Sequence, residues 1–142
     1  MNNYQKFINN FMDQYGNGNY MSQKDNIGNL YDDYQGFIRG NMFKDLYDPY
    51  KVKQPYDIKP MNEQADMLTK IDALSFAMID LQLYLDTHPT DRNVLNLFNR
   101  YREEKINRVK AYEAKYGPLT IDSDSLNNYP WSWIDNPWPW EG

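Results

Sequence analysis

Few side chains in this sequence have the type and spacing to do chemistry, and the first of them is His88. It is the single histidine and stands between Asp86 and Asp91 in "DTHPTD". An imidazole flanked by two carboxylates invites a metal ion, but helical metal sites gather several ligands from facing helices, and the sequence has no Glu-x-x-His. His88 therefore reads as a turn residue. "DSDS" at 122 to 125 opens like a calcium loop and then lacks the glycine at loop position 6 and the glutamate at position 12. Cysteine is absent, which removes thiol nucleophiles, thiolate zinc sites and disulfides, and one histidine without an argued partner serine gives no nucleophilic constellation. No Gly-rich phosphate loop is present. The chain reads as a non-enzyme, with no catalytic residue, no cofactor and no metal.

What stands out instead is apolar. All four tryptophans lie in "NNYPWSWIDNPWPWEG", residues 127 to 142. Trp131 and Trp133 are two apart, as are Trp138 and Trp140, with Pro130, Pro137 and Pro139 beside them. In an extended or polyproline-like chain, that spacing turns each pair of indoles to one side while proline removes donors and stiffens the backbone. Burying one such ring contributes roughly 2 to 3 kcal/mol on area alone, so the rings are expected to be covered. The cover is either the chain's own core or a partner, and both readings stay open.

Composition narrows the setting. A chain of 142 residues is one domain with room for an appendage. The net charge of −5 and a pI near 4.8 disfavour nucleic acid and anionic membranes as partners. No stretch approaches the roughly 18 apolar residues of a membrane span, and "MNNYQKFINNFMDQYG" has no apolar run or cleavage site of a secretory signal. Aromatic residues make up 16% of the chain, thirteen of them tyrosine, while the mean hydropathy is −0.90. Rings thus take over burial that aliphatic residues usually supply.

The elements that must position these rings can be read along the chain. Residues 1–35 are rich in Asn, Gln, Asp, Tyr and Gly without sustained period, and are expected to be disordered or weakly ordered. Residues 36–60, punctuated by Gly36, Gly40, Pro49, Pro55 and Pro60, read as an aromatic arm with a helical turn near Met42 to Tyr47. From Pro60 to Thr87 the positions Met67, Ile71, Leu74, Met78, Leu81 and Leu85 alternate spacings of four and three, widened by Phe76, Ala77, Ile79, Leu83 and Tyr84. Pro89 breaks this helix and Thr90 or Asp91 caps the next, which carries Val94, Leu97, Phe98, Tyr101, Val109, Tyr112 and Tyr116 and stops at Gly117 and Pro118. Helices at about 62 to 87 and 91 to 116 with so short a connection give an all-α fold, an antiparallel two-helix hairpin over 61–117. Extended aromatic-rich arms flank it, the second being the Trp/Pro-rich tail 118–142.

Charge supports the pairing. Residues 60–88 hold one Lys against five Asp and Glu, a charge of −4, and residues 91–116 hold seven Lys and Arg against four acids, a charge of +3. Within the second helix, Glu104 and Arg108 have the favourable i, i+4 order of a solvated ion pair.

From Met61 to Gly142 the sequence resembles the CotJB family of spore coat peptides. "AMIDLQLYLDTHPTDRNVLNLF" at 77 to 98, "YEAKYGPLTIDS" at 112 to 123 and "PWSWIDNPWPWE" at 130 to 141 carry the likeness. Over a dozen residues, "RGNMFKDLYDPYK" at 39 to 51 is similar to the short signature of the companion coat peptides CotJA. It lacks that signature's Thr after the Gly and its Pro-acid pair after the Phe. The resemblance implies a structural component of the inner spore coat, made in the mother-cell cytoplasm during sporulation. It also implies partners, a larger manganese-catalase-like coat protein and other coat peptides, with self-association left open. No nucleic acid and no membrane insertion are expected. The residues expected to touch a partner are Phe37, Phe43, Tyr47, Tyr50, Trp131, Trp133, Trp138 and Trp140. The alternative is an accessory subunit that modulates a catalase-like enzyme without chemistry of its own.

Overall fold

The structure, a computed structural model, describes residues 28–45, 55–135 and 138. Among them are three α-helices, α1 (Asp33–Arg39), α2 (Glu63–Thr87) and α3 (Arg92–Tyr116), and no strand. Two 3-10 turns follow, Asp124–Asn127 and Ser132–Ile134. Tyr47, Tyr50 and Trp140 lie outside the described residues, as do positions 1–27.

The ends of α2 and α3 are set by local chemistry. The Asn62 side chain accepts from the Ala65 N–H at 2.8 Å and so satisfies a donor that the first turn of α2 leaves unpaired. At the other end His88, followed by Pro89, takes non-helical geometry while its N–H still donates to Tyr84 O and Leu85 O. Asp91 then caps α3, its Oδ1 accepting from the Asn93 and Val94 N–H groups, each at 3.1 Å. Helix α3 ends at Gly117, whose φ of 105° is a conformation that a side chain would oppose. Both helices thus fall within one residue of the bounds expected from periodicity.

The two long helices pack along each other, with the connection His88 to Asp91 closing one end. At the far end Lys115 meets Glu63 at 2.5 Å and Gln64 Nε2 donates to the Tyr112 hydroxyl at 3.0 Å. The opposite charges of the two helices are realised in that Lys115 contact. The ion pair expected within α3 is also present, Arg108 Nη2 to Glu104 Oε1 at 2.6 Å.

Between α2 and α3 lies one cluster of buried side chains: Leu74, Ala77 and Leu81 from α2, Val94, Leu97 and Tyr101 from α3. Leu74 and Leu81 are fully enclosed; each contributes roughly 1.5 to 3 kcal/mol through the area it removes from water. Ile79 and Leu83, expected to widen the apolar stripe of α2, are instead 61% and 62% exposed. They follow the 3.6-residue period round to the side of the helix that neither α1 nor α3 covers.

The third side of the cluster is closed from residues 28–45. Leu30, Met42 and Phe43 join it, 9%, 0% and 9% exposed. Helix α1 crosses position 35, where weak order was expected to give way to an irregular arm, and Met42 to Asp45 form a bridge and turn where a helical turn was expected. The reason is capping and close approach. Asp32 accepts from the Gln35 N–H at 2.8 Å, and Gly40, at φ 77°, ends the helix by donating to Gly36 O and Phe37 O. Gly36 sits inside the helix because a Cβ there would fall 2.2 Å from the sulfur of Met42.

The tail also departs from expectation. It does not run extended from 118 onward: Leu126 is buried within the first 3-10 turn and Trp133 lies within the second. Ser123 starts the first by accepting from the Ser125 N–H at 3.2 Å.

Candidate functional site

Among the described residues the features that stand out are surfaces. The first is the tail. Trp131 is 54% exposed, Tyr129 99% and Ile134 71%, so these apolar groups stand in water within six residues of one another. Trp133 and Trp138 meet edge to face, ring centres 5.4 Å apart and planes at 84°, the arrangement aromatic quadrupoles favour. The indole pairing therefore runs between the two sequence pairs, because the turn Ser132–Ile134 reorients Trp133 away from the extended geometry that the spacing of two presumes. Trp133 and Trp138 remain half-buried.

The second surface is the seat of residues 28–45 on the helix pair. The segment holds itself together first. Leu30 and Phe43 form an antiparallel bridge, Tyr31 N–H donates to Met42 O at 2.8 Å and Lys44 N–H to Asn29 O at 3.0 Å. Buried Asn41 turns its Oδ1 to the Phe43 N–H at 2.9 Å. The result is a clip, a bridge closed around the two turns of α1. It is seated by apolar burial and by the hydrogen bond of Met42 N–H to Asp80 Oδ2 at 2.8 Å. Phe37 packs on Phe76 of α2 with ring centres 6.2 Å apart, and Phe43 packs on Tyr84 at 4.8 Å. Phe43 is consequently spent inside the chain's own core, and Phe37 is half-buried on α2.

Asp33 is the chemically unusual residue of the seat. It lies in the first turn of α1 and is 9% exposed. Burial is the main cause that pushes its carboxyl up to about 6; the Tyr34 backbone N–H opposes this, Glu104 and Asp32 reinforce it, and Arg108 opposes it. Tyr101 of α3, beside it, has its phenol pushed up by burial first and by the Asp33 charge second.

His88 is accounted for structurally. Its ring lies flat on Tyr84, centres 4.2 Å apart, and its Nδ1 sits 2.9 Å from the Thr87 hydroxyl and 3.2 Å from Tyr84 O. The Tyr84 hydroxyl in turn donates to Asp91 Oδ2 at 3.1 Å. Asp91 titrates below the usual carboxylate range, chiefly because the Val94 N–H stabilises its charge. Among the described residues no group of three His, Cys, Asp or Glu converges on a metal site, and no helix is long and apolar enough to cross a membrane.

Sequence reasoning missed Asp33 and Asp80, and read Gly36 only as punctuation of an arm and Met42 only as the start of a helical turn. Their signal was in plain sight only in part: "DDYQGFIRG" carries a capping Asp and a closing Gly at helical spacing.

The comparison with known families turns on the helices and the tail together. The model of the CotJB protein family matches residues 65–141. The chain belongs to the CotJB family. That span takes in α2 from its third residue, α3, both 3-10 turns and the tryptophans of the tail, and it leaves out the clip at 28–45. CotJB is a family of spore coat proteins and not a known enzyme family, so a role in the spore coat follows from membership. No curated protein and no solved structure matches the chain.

Proposed function

We propose that this chain is a non-enzymatic structural component of the inner bacterial spore coat, made in the mother-cell cytoplasm. It acts as a helical hairpin with aromatic arms, and it docks on a larger manganese-catalase-like coat protein. The observation that carries this reading is the tail: Tyr129, Trp131 and Ile134 are left in water by a chain that covers Leu126 a few residues earlier. A folded chain that exposes an indole beside other large apolar groups forgoes stabilisation that a partner would recover, and aromatic anchors of this kind dominate binding energy at interfaces. Membership of a coat family supplies the setting for such a partner.

The experiment is a capture from sporulating cells with the tagged full chain beside a variant carrying Trp131→Ala, Trp133→Ala and Trp138→Ala, the captured proteins being weighed by mass spectrometry. Retention of a catalase-like protein by the first and its loss by the second is the expected result, with circular dichroism showing the helices of both intact. Equal capture by the two chains would move the docking surface away from the tail.

A further inference from the structure

The family match begins at residue 65, yet the cluster at the centre of the matched helices is completed by Leu30, Met42 and Phe43, which lie before it. The face made by Leu74, Ala77, Leu81 and Tyr101 is therefore built to receive a separate segment, and the clip at 28–45 is what fills it here. The clip carries its own hydrogen bonds, the Leu30 to Phe43 bridge and the cap of Gly40 on Gly36 among them. It is joined to α2 through residues 46–62, and Asp57 and Ile58 of this stretch bond the Tyr34 hydroxyl of α1, which leaves residues 46–56, eleven positions with prolines at 49 and 55, as the span between the two. A stretch of that length reaches at most about 36 Å when extended, far enough to reach a copy packed alongside.

We propose that this face is a docking groove for the clip of a second copy of the chain, so that copies exchange clips and link to one another. Every contact of the seat, from the Met42 N–H on Asp80 to Phe43 on Tyr84, forms equally well between copies as within one, so exchange costs little beyond the loss of the tether. The tether is equivalent to an effective concentration on the order of millimolar. In dilute solution the clip stays home; at the packing density of a protein layer it does not. A second copy is the occupant argued for because the fit of groove to clip is already complete for this sequence. An exchanged clip at one end of each copy gives a head-to-tail contact, which continues into a chain or ring. The density argument rests on the coat reading, whereas the exchange itself does not.

The chain has no cysteine, which makes single-site labelling clean. Asp45→Cys carries a donor dye on the clip and Asp86→Cys an acceptor on α2. These positions are each two residues beyond rings that lie 4.8 Å apart. The two labelled proteins are mixed at rising total concentration. Energy transfer between different copies that climbs towards the millimolar range, and falls at least several-fold when the donor chain also carries Met42→Asp, is the expected result. Absence of transfer throughout, or transfer that Met42→Asp leaves unchanged, overturns the proposal. Should Met42→Asp lose helicity by circular dichroism, Asp80→Ala in the acceptor chain takes its place, with the same two outcomes. Because the measurement uses the purified chain alone, its failure leaves the coat role standing, and failure of partner capture leaves this result standing.

Discussion

Asp33 is the carboxyl of the clip whose charge burial opposes. In the unfolded chain its carboxyl titrates near 3.8; in the folded chain burial raises it to about 6. Between those values the folded state binds more protons than the unfolded one, so stability falls as pH rises through that window and levels off above it. From the size of the shift, the contribution lost is on the order of 3 kcal/mol. Asp33→Asn keeps the shape and removes the charge. Urea denaturation should find this variant more stable than the parent at pH 7.5, and the parent losing more stability than the variant as pH rises from 4 to 6. Parallel pH profiles for the two proteins would show that Asp33 is not the group responsible. His88, the residue that first suggested chemistry, is stacked on Tyr84 beside the Asp91 cap and closes a turn.

The long helices were legible in the sequence because their signals agree. Leu74, Leu81, Val94, Leu97 and Tyr101 keep helical period, Asp91 caps the second, and Gly117 with Pro118 stops it. Helix α1 was not legible, because Gly36 in a seven-residue helix looks like punctuation when its purpose is to admit the sulfur of a residue outside the helix. That purpose can be tested by magnitude. Alanine in place of glycine within a helix normally gains about 1 kcal/mol, while forcing a methyl into a packed site costs about 1 to 3 kcal/mol. Met42 is fully enclosed, with little room to move aside, so the clash should win and Gly36→Ala should lower the melting temperature. A rise would mean that Met42 has room and that the glycine is conformational only. The same reasoning explains Ile79 and Leu83: period placed them near the stripe, and only the number of neighbours around α2 decides that their side of it stays in water.

Across the whole molecule, the open question in the sequence was whether the tail covers the core or waits for a partner, and spacing alone had no means to divide the tail. The structure divides it by residue. Leu126, in a 3-10 turn, is 7% exposed, while Trp131 is 54% exposed and Trp133 and Trp138 pack on each other. Turn geometry around Ser123 and Ser132, invisible to a reading based on proline and tryptophan counts, makes this division. Stability and assembly should therefore separate along the tail. Leu126→Ala removes a buried aliphatic group and should cost about 2 to 5 kcal/mol, the range for such cavities, read as an earlier midpoint in urea. Trp131→Ala removes a ring that is mostly in water and should shift that midpoint by less than about 0.5 kcal/mol, while still weakening capture of a coat partner. If the two substitutions destabilise the chain equally, Trp131 belongs to the fold and the adhesive part of the tail must lie nearer its end.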